Sequence, residues 1–371
     1  MNIVFLTRHN PNNINNWSGT FYHIYKKLKE GHIVEIVGTE IINQLESFSN
    51  NFPSNTFIPV DRYIIKLNKL LSERINNLNF DLVFLGDLLF IPLDITIPFV
   101  RLSDMTFEQV TLHHSIPDER NIKACIRLEK LLYENSFKII YSSEWIKQKA
   151  IEYYHINPAK IEVVEFGANI PTPSNYSITM NMDVCRLVFI GKDRVRKGGD
   201  KLLQIYKTLK EDGFPCTLTI IGFVPEEGLV EDKDLTVIPH LDKVKKEDLA
   251  KLCAILSESH FLVLPTRFDA FGIVFCEASA YGLPSITADV GGVSQAIREG
   301  KNGFLLPADA SAKDYAEKIK TIFSDKENYF KLRQSSRHEF ETRLNWDVWG
   351  EKVNKILEEA VREWKQLRIR N

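Results

Sequence analysis

The chain has 371 residues, long enough for two hydrophobic cores, and its 44% hydrophobic and 26% charged content is ordinary for a folded globular protein. A formal net charge of −2 excludes an electrostatic binder of nucleic acid, which should be basic.

MNIVFLTRHN opens the chain as a strand, Ile3 to Leu6, without the layout of a signal peptide. An Asn-rich loop follows, and Ser18-Gly19-Thr20 starts an amphipathic helix to Lys29 with Phe21, Ile24, Tyr25 and Leu28 on one face. Ile33 to Val37 is the next strand, so strand, helix, strand points to a doubly wound parallel sheet. No G-x-G-x-x-G is present, which argues against a dinucleotide-binding enzyme. Gly19 lets backbone approach a phosphate, or Ser18 simply caps a helix.

Strands are expected at Leu82 to Leu85 and Phe99 to Leu102, with polar Ser103-Asp104 at the C-terminal end where open α/β sheets bind ligands. The most apolar window, Asp81 to Val100, holds three Asp and two Pro and does not read as a membrane span. His113-His114 lack a partner at metal spacing and read as loop or helix-surface residues. Asn121 to Asn135 has helical spacing, Lys138 to Tyr141 is a strand, Ser142-Ser143-Glu144 caps another helix, and Ile161 to Val164 is a strand. Pro171 to Asp183, rich in Pro, Ser, Thr and Asn, reads as a linker.

Leu187 to Ile190 opens a second βα series. Gly191-Lys192-Asp-Arg194-Val-Arg196-Lys197-Gly198-Gly199 lies between that strand and a helix over Asp200 to Leu209. Glycines that bare backbone N–H groups, beside cations, make a phosphate cradle; a solvated basic turn is the plainer alternative. Thr217 to Gly222 and Thr236 to Pro239 are strands, the latter followed by His240-Leu241, and Lys246 to Ser257 is a helix. Phe261 to Leu264 is a buried strand, and Asp269-Ala-Phe-Gly272 leads into a helix to Tyr281 with Asp269 as N-cap. N–H groups around Phe271, Gly272 and Ile273 favour an anion at that helix start. Glu277 follows Asp269 by eight residues, roughly 12 Å along a helix. That is beyond the ~9.5 Å within which two carboxylates flank one glycosidic bond. The pair therefore reads as two grips on an elongated, phosphate-bearing ligand, or as a capped core helix with a surface carboxylate.

Ser285 to Ala288 is a strand running into Gly291-Gly292, and two or three helices follow Pro307. Asn345-Trp346-Asp347-Val348-Trp349 introduces an amphipathic helix to Ile369, on which Arg362, Lys365, Arg368 and Arg370 offer peripheral contact with a membrane as an alternative to packing. Cys125, Cys185, Cys216, Cys253 and Cys276 show no zinc spacing and read as buried thiols of a reducing compartment, so a cytoplasmic protein is expected.

Asp269-x7-Glu277 followed by Ala-Ser-Ala-Tyr-Gly-Leu-Pro resembles the E-x7-E region of the retaining glycosyltransferases of family 4. Gly191-Lys192-x4-Lys197-Gly198 resembles their diphosphate loop, and SSEW…VVEFGAN the end of their N-terminal domain. Three motifs in order are far more specific than any one alone. The resemblance implies an α/β chain of the GT-B fold: two Rossmann-like domains facing a cleft, with the last helix crossing back. The domains would be 1–170, completed by 346–371, a linker at 171–184, and 185–345.

It further implies sugar transfer, with retention and without an obligatory metal or cofactor, from a nucleoside-diphosphate sugar to a glycan, lipid or protein. Lys192 and Lys197 would meet the leaving diphosphate, Asp269 the transferred sugar, and Glu277 the ribose hydroxyls. Gly19, Gly191, Gly222, His240, Leu241, Phe271, Gly272 and Ile273 would complete the donor side. The chain departs from the family in Asp269, which stands for Glu, and in Ser103, which stands for the His of a His-Asp pair and leaves Asp104 for the acceptor. A sugar-nucleotide epimerase, a phosphorylase and a non-catalytic homologue binding nucleotide or a partner protein are the rivals.

Overall fold

The computed structural model describes residues 1–7, 9–39, 60–86, 94–113, 119–173, 176–225 and 232–370; His114 and part of the apolar window at 81–100 lie outside them. The chain divides into one unit of Met1–Val164 with Trp349–Asn371, and a second of Glu165–Val348.

In the first unit, six parallel strands form a sheet in the order β2-β1-β3-β4-β5-β6: β1 (Asn2–Thr7), β2 (Ile33–Gly38), β3 (Leu82–Leu85), β4 (Phe99–Ser103), β5 (Lys138–Tyr141) and β6 (Ile161–Val163). Ile3 to Leu6 and Leu82 to Leu85 are all buried, as a parallel sheet covered on both faces requires. The covering helices are α1 (Thr20–Gly31), α2 (Val60–Asn76), α3 (Phe107–His113), α4 (Glu119–Asn135) and α5 (Glu144–Tyr154). Ser143 caps α5 by accepting from the Ile146 N–H, as its position predicts.

A buried ion pair organises the C-terminal end of β4. Arg101 donates to Glu129 on α4 at 2.6 Å, both side chains fully buried. The other Glu129 oxygen accepts from the Phe107 N–H at 2.7 Å, which fixes the start of α3 just beyond Asp104. Burying two charges is tolerable only where each is so paired.

The final helix, α12 (Trp346–Arg370), joins this unit from Trp349 onward. Asn354 meets His32 at 3.0 Å, Trp364 packs edge-on to Phe137 with centroids 5.7 Å apart, and Lys365 reaches Asp81 at 3.7 Å. Trp349 is fully buried. Trp346, within the 346–371 segment expected to complete the first domain, stays with the second unit, its indole donating to Asn169 at 3.1 Å. Among the described residues no helix is long and apolar enough to cross a membrane.

The second unit carries a sheet ordered β12-β11-β10-β7-β8-β9: β7 (Cys185–Ile190), β8 (Cys216–Ile221), β9 (Leu235–Ile238), β10 (Phe261–Leu264), β11 (Ser285–Ala288) and β12 (Gly303–Leu306). β12 is not expected from the sequence, because its four residues carry no period that separates it from a loop. The helices are α6 (Gly199–Glu211), α7 (Lys246–Glu258), α8 (Ile273–Ala280), α9 (Val293–Ala296), α10 (Ala312–Ser324) and α11 (Lys326–Thr342). The chain runs outward from β7 to β9, then returns to place β10 on the other side of β7. That reversal is the topological switch point of a Rossmann-type sheet.

The stretch read as a linker packs on this unit. Arg333 donates to the Ile178 carbonyl at 3.0 Å, and His260 Nε2 to the Asn181 carbonyl at 2.8 Å. His260 Nδ1 accepts from the Arg186 N–H at 2.9 Å, so the neutral ring satisfies both nitrogens. Burial first, with neighbouring Arg186 and Arg333, lowers its pKa from 6.5 to about 4, against the Asn181 bond, which raises it.

Between pH 6.5 and about 4 the unfolded chain therefore binds a proton that the folded chain refuses. Stability is fully present above 6.5 and falls as pH drops toward 4, by on the order of 3 kcal/mol from this group. Urea midpoints of the wild type and His260→Gln across this range should converge as pH falls. A constant difference would show that His260 does not carry the dependence.

Candidate active site

Two loops leave the strands on either side of the switch point and are stitched together by their backbones. The Arg196 carbonyl, in the loop after β7, accepts from the Arg267 N–H at 2.8 Å and the Thr266 hydroxyl at 3.0 Å, both in the loop after β10. Gly198 caps α6 in the left-handed region, φ 75°. A Cβ there would overlap the Pro265 carbonyl oxygen. Only glycine meets both demands at that crossing.

This stitching brings Lys197 and Asp269 together across 72 residues, and the Lys197 ammonium donates to Asp269 Oδ2. Each side chain is 13% exposed. Arg196 approaches Asp269 Oδ1 at 3.7 Å and donates to the Phe268 carbonyl at 3.2 Å. The Asp269 carbonyl accepts from the Gly292 N–H at 3.0 Å, which ties in the turn after β11. Arg194 pairs with Asp200 at 2.5 Å, and Arg196 also with Asp193 at 3.3 Å. Asp193 is held below its ordinary pKa by the Arg196 N–H, and secondarily by the Arg196 charge. Lys192 is exposed and pairs with no other described residue.

Asp269 is not the helix N-cap expected of it. Gly272 takes that place, with φ 89° and ψ 73°, and α8 begins at Ile273. The left-handed turn frees Asp269 to face Lys197, so separation along a helix axis does not describe Asp269 and Glu277. Phe271 is buried edge-on to Phe166 with centroids 5.4 Å apart, while Ile273 is half-buried. The Phe271 and Gly272 N–H groups have no acceptor among the described residues and sit at the positive end of α8.

Glu277 is buried, not a surface carboxylate, and accepts from Lys243 in the turn after β9. Nothing in the sequence singles out Lys243 from its neighbours Lys245 and Lys246, because only the fold brings it 34 residues along to Glu277. Gly191 and Gly222, ending β7 and β8, press together: a Cβ on Gly222 would lie 2.5 Å from the Gly191 carbonyl oxygen. His240 is exposed and Leu241 half-buried just past β9. Because the strands are parallel, all these residues share the C-terminal edge of the second sheet.

The remaining two predicted positions belong to the first unit. Gly19 caps α1 with φ 98°, after Trp17 and Ser18, which also have positive φ of 47° and 56°. Asp104 follows β4 and is half-buried. Ser103 is buried, its hydroxyl donating to the Met105 carbonyl at 2.6 Å, which commits it to the local turn. Both lie at the C-terminal edge of the first sheet.

Residues 179–339 match the model of the family described as glycosyl transferases group 1. The D-inositol 3-phosphate glycosyltransferase of Gordonia bronchialis is 23% identical over 237 residues, 59% of this chain and 51% of that protein. The capsular polysaccharide biosynthesis glycosyltransferase CapM of Staphylococcus aureus is 25% identical over 256 residues, 63% of this chain and 65% of that one. The aligned regions thus span about half to two thirds of these curated relatives. Among solved structures, Anabaena HepE in complex with UDP superposes with a TM-score of 0.67 at 15% identity, covering 97% of this chain and 100% of that one. Likeness at this identity establishes the fold, GT-B, for both sheets.

Gly198→Ala should lose on the order of 2–4 kcal/mol in urea denaturation, from backbone strain plus collision with the Pro265 carbonyl. Gly213→Ala, with φ 68° but open space around it, should lose only about 1 kcal/mol. Equal losses would show that the close approach of the two loops is not what requires Gly198.

Proposed function

We propose, from a chain whose residues 179–339 belong to the glycosyl transferases group 1 family, that this protein moves a sugar from a nucleoside-diphosphate sugar to an acceptor hydroxyl with retention. The observation that carries the reading is the meeting of the basic 191–198 loop with Asp269 and the N-terminus of α8 at the switch point of one sheet. Open α/β sheets bind ligands in that crevice.

In the reaction the anomeric carbon–oxygen bond to the diphosphate breaks and negative charge grows on the departing oxygen. A bond forms from the acceptor oxygen to the same carbon, and the acceptor proton passes to the departing diphosphate. Lys192, Lys197 and the N–H groups of Phe271 and Gly272 are suited to the growing charge, being fixed before the reaction begins. Asp269 keeps the Lys197 ammonium in place and stands next to where the sugar would lie. We assign Glu277 to the ribose, His240, Leu241 and Ile273 to the nucleoside, and Gly191 and Gly222 to close passage of backbone along the donor. On the first unit, Gly19 is assigned to donor phosphate and Asp104 to the acceptor side.

The similar Anabaena protein HepE was solved with UDP and with UDP-glucose, so uridine is the first base to test. The acceptor is proposed as a glycan, lipid or protein. The five free cysteines, four of them buried, fit a reducing cytoplasmic setting.

Thermal unfolding with UDP, ADP, GDP and CDP tests the site. A ligand at 100 times its dissociation constant adds about 2.7 kcal/mol, and one base should raise the midpoint above the others. Lys197→Ala should lower turnover of the matching donor by on the order of 10² or more while the protein still melts cooperatively. Absence of a shift with every nucleotide would overturn the donor site; binding without turnover would favour a non-catalytic homologue.

A further inference from the structure

Glu277 sits on a helix whose other residues from Val274 to Ala280 are apolar apart from Ser279, all of them buried. Its side chain is 4% exposed. Burying a carboxylate in such surroundings is costly unless it is paired, because it gives up its hydration. Lys243 supplies the opposing charge: its ammonium meets Glu277 Oε1, while Oε2 has no partner among the described residues. The turn holding Lys243 is itself braced. Asp242 Oδ1 accepts from the Val244 N–H at 3.0 Å, and the Asp242 N–H donates to Asp248 at 2.9 Å.

We infer that Lys243 is a positioning residue for the donor nucleotide: it holds one oxygen of the buried Glu277 carboxylate so that the other receives the ribose diol. An ionised carboxylate only accepts hydrogen bonds, which suits two hydroxyl donors, whereas a protonated one must donate. The inference rests on the donor reading proposed above. It assigns the ribose contact to a three-part unit of Lys243, Glu277 and the diol. Phosphate binding stays with the 191–198 loop.

Dissociation constants of four ribonucleoside diphosphates and their 2′,3′-dideoxy counterparts, measured on the wild type, Lys243→Met and Lys243→Arg, test this. The wild type should prefer the best ribonucleotide over its dideoxy form by about tenfold or more, as expected for hydrogen bonds to a charged group. Lys243→Met should reduce that ratio to about threefold or less, with dideoxy affinity little changed, and Lys243→Arg should restore much of it. If Lys243→Met melts out, Lys243→Gln replaces it. A ratio retained without the ammonium overturns the inference and leaves the donor site standing, as does a wild type indifferent to the diol. A wild type that binds none of the eight nucleotides overturns both.

Discussion

The second unit depends on two parallel strands, β7 and β10, lying side by side although 70 residues of chain separate their loops. Neighbouring strands are about 4.8 Å apart, so the segments leaving them must share one space. Arg196, Arg267 and Thr266 resolve that crowding with backbone bonds, and Gly198 does so by having no side chain. Lys197 and Asp269 then face each other, both side chains largely buried. An ion pair this shielded is far stronger than one at the surface, and it fixes the cation where a ligand phosphate would arrive.

Two carboxylates of the second unit meet their cations in different settings. Asp269 lies in a polar turn with Lys197 and Arg196 on it, so the loss of one cation leaves another. Glu277 lies in an apolar helix, with Lys243 its one cationic partner among the described residues. The first arrangement aims a cation; the second aims an anion. Both sit at one edge of one sheet; in the donor site proposed above, diphosphate and sugar would lie at the loops and ribose farther along α8.

In the first unit the same economy recurs with different residues. Arg101 and Glu129 bury their charges together, and the spare oxygen of Glu129 holds the Phe107 N–H. The turn carrying Asp104 is thereby pinned at both ends, by β4 and by α3. Ser103 closes it from within, its hydroxyl engaged with the Met105 backbone.

Much of this was legible in order along the chain. Short apolar runs such as Phe261 to Leu264 and Lys138 to Tyr141 mark strands because buried parallel strands need no alternation. Gly191 to Gly199 reads as a basic loop between a strand and a helix from its own residue types, and Ser143 as a cap from its place before α5. The strand β12, the true start of α8 and the partner of Glu277 were not legible. A four-residue strand has no period, and capping patterns cannot show that Gly272 in a left-handed turn displaces Asp269. Sequence thus determined the elements, the two-part α/β architecture and the basic, glycine-rich character of one loop, since these follow from local spacing and residue chemistry. Tertiary structure alone decided which charges meet: Lys197 with Asp269 across 72 residues and Lys243 with Glu277 across 34, because strand order, not chain order, sets which loops are neighbours.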